Sequence, residues 1–101
     1  MITTNIEITD SSVLAKVAGR LDTAAAAQFQ TDIQPIIENA DKQITLDCTN
    51  LEFISSSGLR LLLTLRKATL AKGGKIVITN ISEDIKQVFA ITGFTSLFQL
   101  A

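Results

Sequence analysis

Apolar residues recur along this chain with two periods, and the switches between them outline its elements. Ile2, Ile6 and Ile8 alternate with polar positions up to Thr9; Asp10, Ser11 and Ser12 then form a turn, and Val13 to Ala18 resumes with β-branched residues. This pattern predicts strand, tight turn, strand. Gly19 is expected to end the second strand, and Asp22 or Thr23 to cap a helix over Ala24–Asn39 whose Ala25, Phe29, Ile33, Ile36 and Ile37 lie near one face. Pro35 falls inside that run, deletes a backbone donor and crowds the preceding turn, so a kink or an early break is expected there.

Gln43–Cys48 reads as a short strand with Ile44, Leu46 and Cys48 on one side, followed over Thr49–Ile54 by a connecting loop with an extended end. A second helix is predicted from Ser57 to about Lys72, closed by Gly73 and Gly74. Lys75–Asn80 holds Ile76, Val77 and Ile78 in succession, as a strand covered on both faces would. Ser82, Glu83, Asp84 and Ile85 give a start signal for a third helix, with the acids near the positive end of its dipole; it runs to about Thr92, before Gly93. Leu97–Leu100 adds a last edge strand. The order β β α β α β α with that strand predicts an α/β fold of two layers, a mixed sheet of four to five strands with three to four helices. Partners of such sheets gather near the carboxyl ends of strands, which directs attention to Gly19–Thr23 and Asp47–Gly58.

Composition narrows the function. The 101 residues fit a single domain over 1–101, and 47% hydrophobic residues exclude intrinsic disorder. Nine Lys and Arg against ten Asp and Glu give a net charge of -1 with no sign concentrated at either end, which argues against a nucleic-acid groove. The chain has no histidine, so His-dependent catalysis and His-ligated metals are excluded, and neither a cofactor nor a metal is expected. Cys48, the one cysteine, is expected to be a buried core thiol. The first seven residues lack the basic start and apolar core of a signal peptide. The longest mostly apolar stretch, Gly58 to Ala71, is shorter than the ~20 residues of a membrane span and is broken by Arg60, Arg66 and Lys67. The expectation is a cytoplasmic protein without membrane insertion.

The unusual local feature is Ser55, Ser56 and Ser57 at the mouth of the second helix. One hydroxyl suffices as a cap, and Ser57 or Ser56 is expected to supply it. Nucleophilic use needs a base, and without imidazole a serine triad is impossible; a serine–lysine pair stays formally open with Lys67 or Lys72, yet neither lies near Ser56 along the helix. No Gly-x-Ser-x-Gly elbow is present, and Gly73, Gly74, Lys75 lacks the spacing of a phosphate loop. The residues therefore describe a protein that is not an enzyme.

Receiving a phosphate suits the same serines. It would move the net charge from -1 to about -3. A helix amino end tolerates a dianion, worth ~0.3 to 1 kcal/mol at an exposed site, whereas a partner packed there would have to desolvate it. The result is a binding switch rather than a shape switch. On the helix itself Leu61, Leu62, Leu65 and Ala68 form a core-facing stripe, Leu59, Leu63 and Leu70 an adjoining flank, and Arg60, Thr64 and Lys67 face away. That flank is either wedged between neighbours or free as a docking patch.

Three segments carry a family resemblance over nearly the whole length: Gly19–Arg20–Leu21–Asp22, the strand and loop from Leu46 to Ile54, and Ser55–Ser56–Ser57–Gly58–Leu59–Arg60. Together they resemble a single-domain STAS protein of the anti-sigma factor antagonist type. The resemblance implies a bacterial regulator, monomeric when free, that binds an anti-sigma factor with serine kinase activity while unphosphorylated. It implies phosphorylation by that kinase on Ser56, and resetting by a serine phosphatase. With Asp22, a loop acid that the resemblance implies lies near the acceptor, the expected partner-facing set is Asp22, Thr23, Ser55, Ser57, Gly58, Leu59 and Leu63. Many relatives carry Asp where this chain has Ser55, so a charge beside the acceptor is missing. Two other uses of such a module are an accessory subunit of a membrane transporter for lipids and a binder of a nucleotide or other small anion, neither needing phosphorylation.

Overall fold

Polar residues set the first hairpin of the computed structural model, which describes residues 2–100. The Thr9 amide donates to the Ser12 carbonyl at 2.9 Å, and the Ser12 amide donates to Thr9 Oγ1 at 3.1 Å. This turn joins β1 (Ile2–Ile8) to β2 (Ser12–Leu21), and the chain continues through α1 (Ala26–Asp32), α2 (Gln34–Glu38), β3 (Gln43–Ile54), α3 (Ser56–Lys72), β4 (Lys75–Thr79), α4 (Glu83–Thr92), a 3-10 turn (Phe94–Ser96) and β5 (Gln99–Leu100). The strands form one five-stranded mixed sheet in the order β1-β2-β3-β4-β5, with β1 antiparallel to β2 and every other pair parallel.

Alternation puts Val13, Ala15 and Val17 of β2 and Ile44, Leu46 and Cys48 of β3 in the core. Phe29, Ile33 and Ile36 from the first helical run, Leu59, Leu62 and Leu65 from α3, and Ile85 and Phe89 from α4 pack into the same cluster. The expected third helix is present with its signals in place: Ser82 Oγ accepts from the Ile85 amide, and Gly93 closes α4. Cys48 is a buried core thiol, pushed up to about 12 by desolvation and then by the adjacent Asp47 charge.

Four boundaries differ from the sequence pattern. The run expected over Ala24–Asn39 is two helices meeting at Ile33, because Pro35 supplies no amide for an unbroken helix but fits the first turn of α2, where no donor is required. Gly19 does not end β2; it takes a φ of 100° open to glycine, and β2 continues to Leu21. Thr49–Ile54 is strand rather than loop. The register with β2 slips twice, between Lys16–Asp47 and Ala18–Asn50 and again between Gly19–Leu51 and Arg20–Phe53, each time with one extra residue on β3; the two bulges bury Cys48, Leu51 and Ile54 at steps of three and hide the strand's alternation. The expected last strand shrinks to Gln99–Leu100, since Phe94–Ser96 turns so that Phe94 and Phe98 stack on each other and meet Phe89 edge-on and tilted, with centroids 6.1 to 6.2 Å apart.

α3 is seated on the ends of β2 and β3 through Gly58. A Cβ there would lie 2.7 Å from Leu21 Cγ, 2.9 Å from Leu21 Cδ2 and 3.0 Å from Ile54 Cγ1. Both neighbours are buried core residues that would have to shift. Gly58→Ala therefore pits a gain of up to ~1 kcal/mol in helix propensity against an overpacking cost of ~1 to 3 kcal/mol, and the cost should win. A thermal melt should show a fall of several degrees; an unchanged or raised midpoint would mean that the contact is soft.

Candidate functional site

β2 and β3 run parallel and stop side by side, with Leu21 paired to Ile54. The next residue on each strand is therefore Asp22 or Ser55, and both expected segments meet at the carboxyl edge of the sheet. Ser55 is fully committed to the backbone. Its amide donates to the Leu21 carbonyl at 2.8 Å, its Oγ accepts from the Gly58 amide at 3.2 Å, and its carbonyl accepts from the Leu59 amide at 2.9 Å. Its φ and ψ of -90° and 172° are those of an N-cap. The cap expected of Ser57 or Ser56 is thus Ser55, and the helix begins one residue earlier, at Ser56.

With Ser55 as the cap, the next hydroxyl is left free of that bond. Ser56 occupies the first helical position and is exposed; Ser57 is half-buried. Among the described residues neither Oγ has a hydrogen-bond partner in the protein, and no acidic side chain occupies the first turn. First-turn amides and the positive end of the helix dipole face this spot.

Asp22 is half-buried and holds the neighbouring turn: its Oδ1 accepts from the Ala25 amide at 2.8 Å, and its carbonyl accepts from the same amide at 3.2 Å. The N-cap of α1 is Ala25, without a side-chain cap, so Asp22 orders the approach to the helix rather than its first turn. Thr23 is exposed, and its carbonyl accepts from the Ala26 amide at 3.4 Å. Gly58 and Leu59, expected to face a partner, are both buried and support the loop from beneath. The flank of Leu59, Leu63 and Leu70 is therefore split: Leu59 is core, Leu63 half-buried, and Leu70 64% exposed.

Two arginines border the site. Arg60 is exposed one turn along α3 from Ser56. Arg20 lies with its guanidinium carbon 4.5 Å from the centroid of the exposed Phe53 ring, on the sheet face opposite Leu21 and Ile54. Sequence spacing carries no sign of the second pair, which exists only because the bulged register sets Arg20 opposite Phe53. The four-residue step from Ser56 to Arg60, by contrast, is legible in the sequence as neighbours on one helix face.

Among the described residues no side chain hydrogen-bonds to Ser56 Oγ as a base would. Asp47 is the carboxyl held below its ordinary range, first by the Thr49 hydroxyl at 2.6 Å and then by the Thr49 amide at 3.0 Å, with Asn80 Nδ2 at 3.3 Å adding to the effect. All three donors converge on one oxygen, Oδ1, in a structural lock. Among the described residues no group of three or more His, Cys, Asp or Glu could hold a metal. The site is an exposed hydroxyl acceptor on a rigid helix start. Ser55→Ala should cost about 1 kcal/mol through loss of the cap, while Ser56→Ala should stay within about 0.5 kcal/mol; denaturant titration of both would check the assignment, and the reverse order would move the cap.

Known proteins resemble the chain along this whole arrangement. The family model described as STAS domain matches residues 3–101. BtrV of Bordetella bronchiseptica, whose name includes the words anti-sigma factor antagonist, is 29% identical, with 91% of this chain and 79% of the relative covered. The anti-sigma-B factor antagonist of Staphylococcus aureus is 28% identical, with 95% and 91% covered. Among solved structures, the anti-sigma factor antagonist SpoIIAA in its unphosphorylated form superposes with a TM-score of 0.79 at 25% identity, covering 98% of this chain and 88% of that one. SpoIIAA of Bacillus in its phosphorylated form gives 0.72 at 26%, with 98% and 91% covered.

Proposed function

The chain belongs to the STAS domain family, and on that premise we propose that it is an anti-sigma factor antagonist: a binding protein switched by phosphorylation of Ser56. The observation that carries this reading is the exposed Ser56 hydroxyl, without a hydrogen-bond partner among the described residues, at the first position of a helix whose cap is the preceding serine. Relatives named anti-sigma factor antagonists, one of them solved both with and without phosphate, support it.

Unphosphorylated, the surface formed by Ser56, Ser57, Asp22, Thr23 and Leu63 binds an anti-sigma factor with serine kinase activity and so frees a sigma factor. The kinase supplies ATP, metal and base. A bond forms between Ser56 Oγ and the γ-phosphorus, the bond from that phosphorus to the ADP oxygen breaks, and the hydroxyl proton passes to the kinase's base. A serine phosphatase returns the hydroxyl by hydrolysis. This chain contributes no catalysis, only an accessible acceptor and a helix start that tolerates the product. The dianion would sit over first-turn amides, with the Arg60 guanidinium one turn away, so the fold accommodates the charge while the contact surface changes sign.

Incubating the purified chain with ATP and each candidate serine kinase of the same cell, then locating phosphate by mass spectrometry, tests the acceptor. Phosphate should appear on Ser56 and vanish in Ser56→Ala, which should still bind the kinase; phosphate on Ser55, whose oxygen is the cap, would refute the assignment. Ser56→Asp should weaken binding at least about tenfold in calorimetry, because 1.4 kcal/mol of like-charge repulsion suffices. Unchanged affinity would remove the switch.

A further inference from the structure

The charges of this protein are segregated in a way its net value conceals. α3 carries Arg60, Arg66, Lys67 and Lys72 and no Asp or Glu, so the helix is +4 and the remainder of the chain -5. Among the described residues none of these four cations lies within 4 Å of a carboxylate. Two are tied to backbone: Arg66 Nε donates to the Leu97 carbonyl at 2.8 Å, and Lys72 Nζ to the Ile37 carbonyl at 3.0 Å. Arg60 and Lys67 are exposed and uncommitted.

Their positions relative to Ser56 decide what they can do. At ~100° per residue, Ser56, Arg60, Leu63, Lys67 and Leu70 fall within about 80° of one another on the helix face opposite the buried Leu62, Leu65 and Thr69. The stripe runs for about 21 Å and ends at Leu70, 64% exposed. It is a surface with two free cations, one half-buried leucine and one open leucine, headed by the phosphate acceptor.

The two free cations on this face favour a facing surface of opposite sign, against which a dianion at Ser56 would add like-charge repulsion to its desolvation cost. From this we infer that the Ser56–Arg60–Leu63–Lys67–Leu70 face of α3 docks an acidic protein surface with an apolar recess for the leucines. The inference rests on the proposed phosphoserine switch and adds the chemistry of the partner. Phosphate then acts twice: it engages Arg60 across one helical turn, and it repels the partner's carboxylates. Extended polyanions suit the stripe less well, because nucleic acid or an anionic bilayer would also meet the -5 of the remaining chain.

The experiment places a photo-crosslinking residue in place of Thr64, exposed at the edge of the stripe, in the full chain within its own cell, with a control at Ile91 on α4. The expected adduct joins position 64, not 91, to a protein segment of net negative charge. Its yield should fall about tenfold in Arg60→Glu/Lys67→Glu and less in Arg60→Gln/Lys67→Gln, with melting curves confirming that both variants fold. A neutral or basic segment, nucleic acid, lipid, a second copy of this chain, no adduct at 64, or an adduct indifferent to the charge changes would each overturn the inference. An acidic segment whose capture survives Ser56→Asp would instead remove the switch while leaving the docking chemistry in place.

Discussion

The first turn of α3 pressed onto the paired ends of β2 and β3 is the contact on which the site depends. Leu21 and Ile54 are adjacent only because these strands run parallel and stop together, and Gly58 lets the helix backbone approach both. The Ser55 amide bonded to the Leu21 carbonyl fixes the direction in which the helix leaves the sheet. With Ser55 pinned, the residues that follow have no freedom of placement: Ser56 points to solvent, Ser57 is half-covered, and Leu59 enters the core. The exposure of the Ser56 hydroxyl is thus a product of core packing rather than of a flexible loop.

Three consecutive serines have three different fates on that base, although their side chains are identical. Ser55 sits outside the helix with extended backbone, where its oxygen reaches an amide three residues on. Ser56 and Ser57 already have helical neighbours and cannot make that bond. A charge-free cap has a further effect: where a carboxylate at position 55 would occupy the amino end of α3 with its own negative charge, a hydroxyl leaves the dipole of the helix available to an incoming phosphate.

Much of the architecture was legible because it rests on local signals. Ser82 with its following acids, Gly73 and Gly93, and the unbroken Ile76–Val77–Ile78 run place α4, the end of α3 and β4 correctly. Pattern reading fails where pairing between distant segments decides. The two bulges of β3, opposite Lys16–Ala18 and Gly19–Arg20, and the glycine bend at Gly19 conceal the later part of β3 and the end of β2, since each breaks the period of two that identifies a strand. The choice of Ser55 as cap is likewise invisible locally, as all three serines satisfy the same preference; the Leu21 carbonyl selects among them. Burial of Leu59 follows from helix rotation, which the sheet sets. The exposed stripe of α3 needed only spacing and charge, and both lie open in the sequence.

Cys48 adds a consequence of a different kind. Its sulfur lies inside the sheet's buried face and holds its proton far above neutral pH. Peroxide and disulfide reagents act on thiolates that they can touch, and here they meet neither condition. Oxidants therefore find no exposed thiolate at Cys48 in the native fold, and sulfur chemistry is kept away from the serine-lined surface at the start of α3.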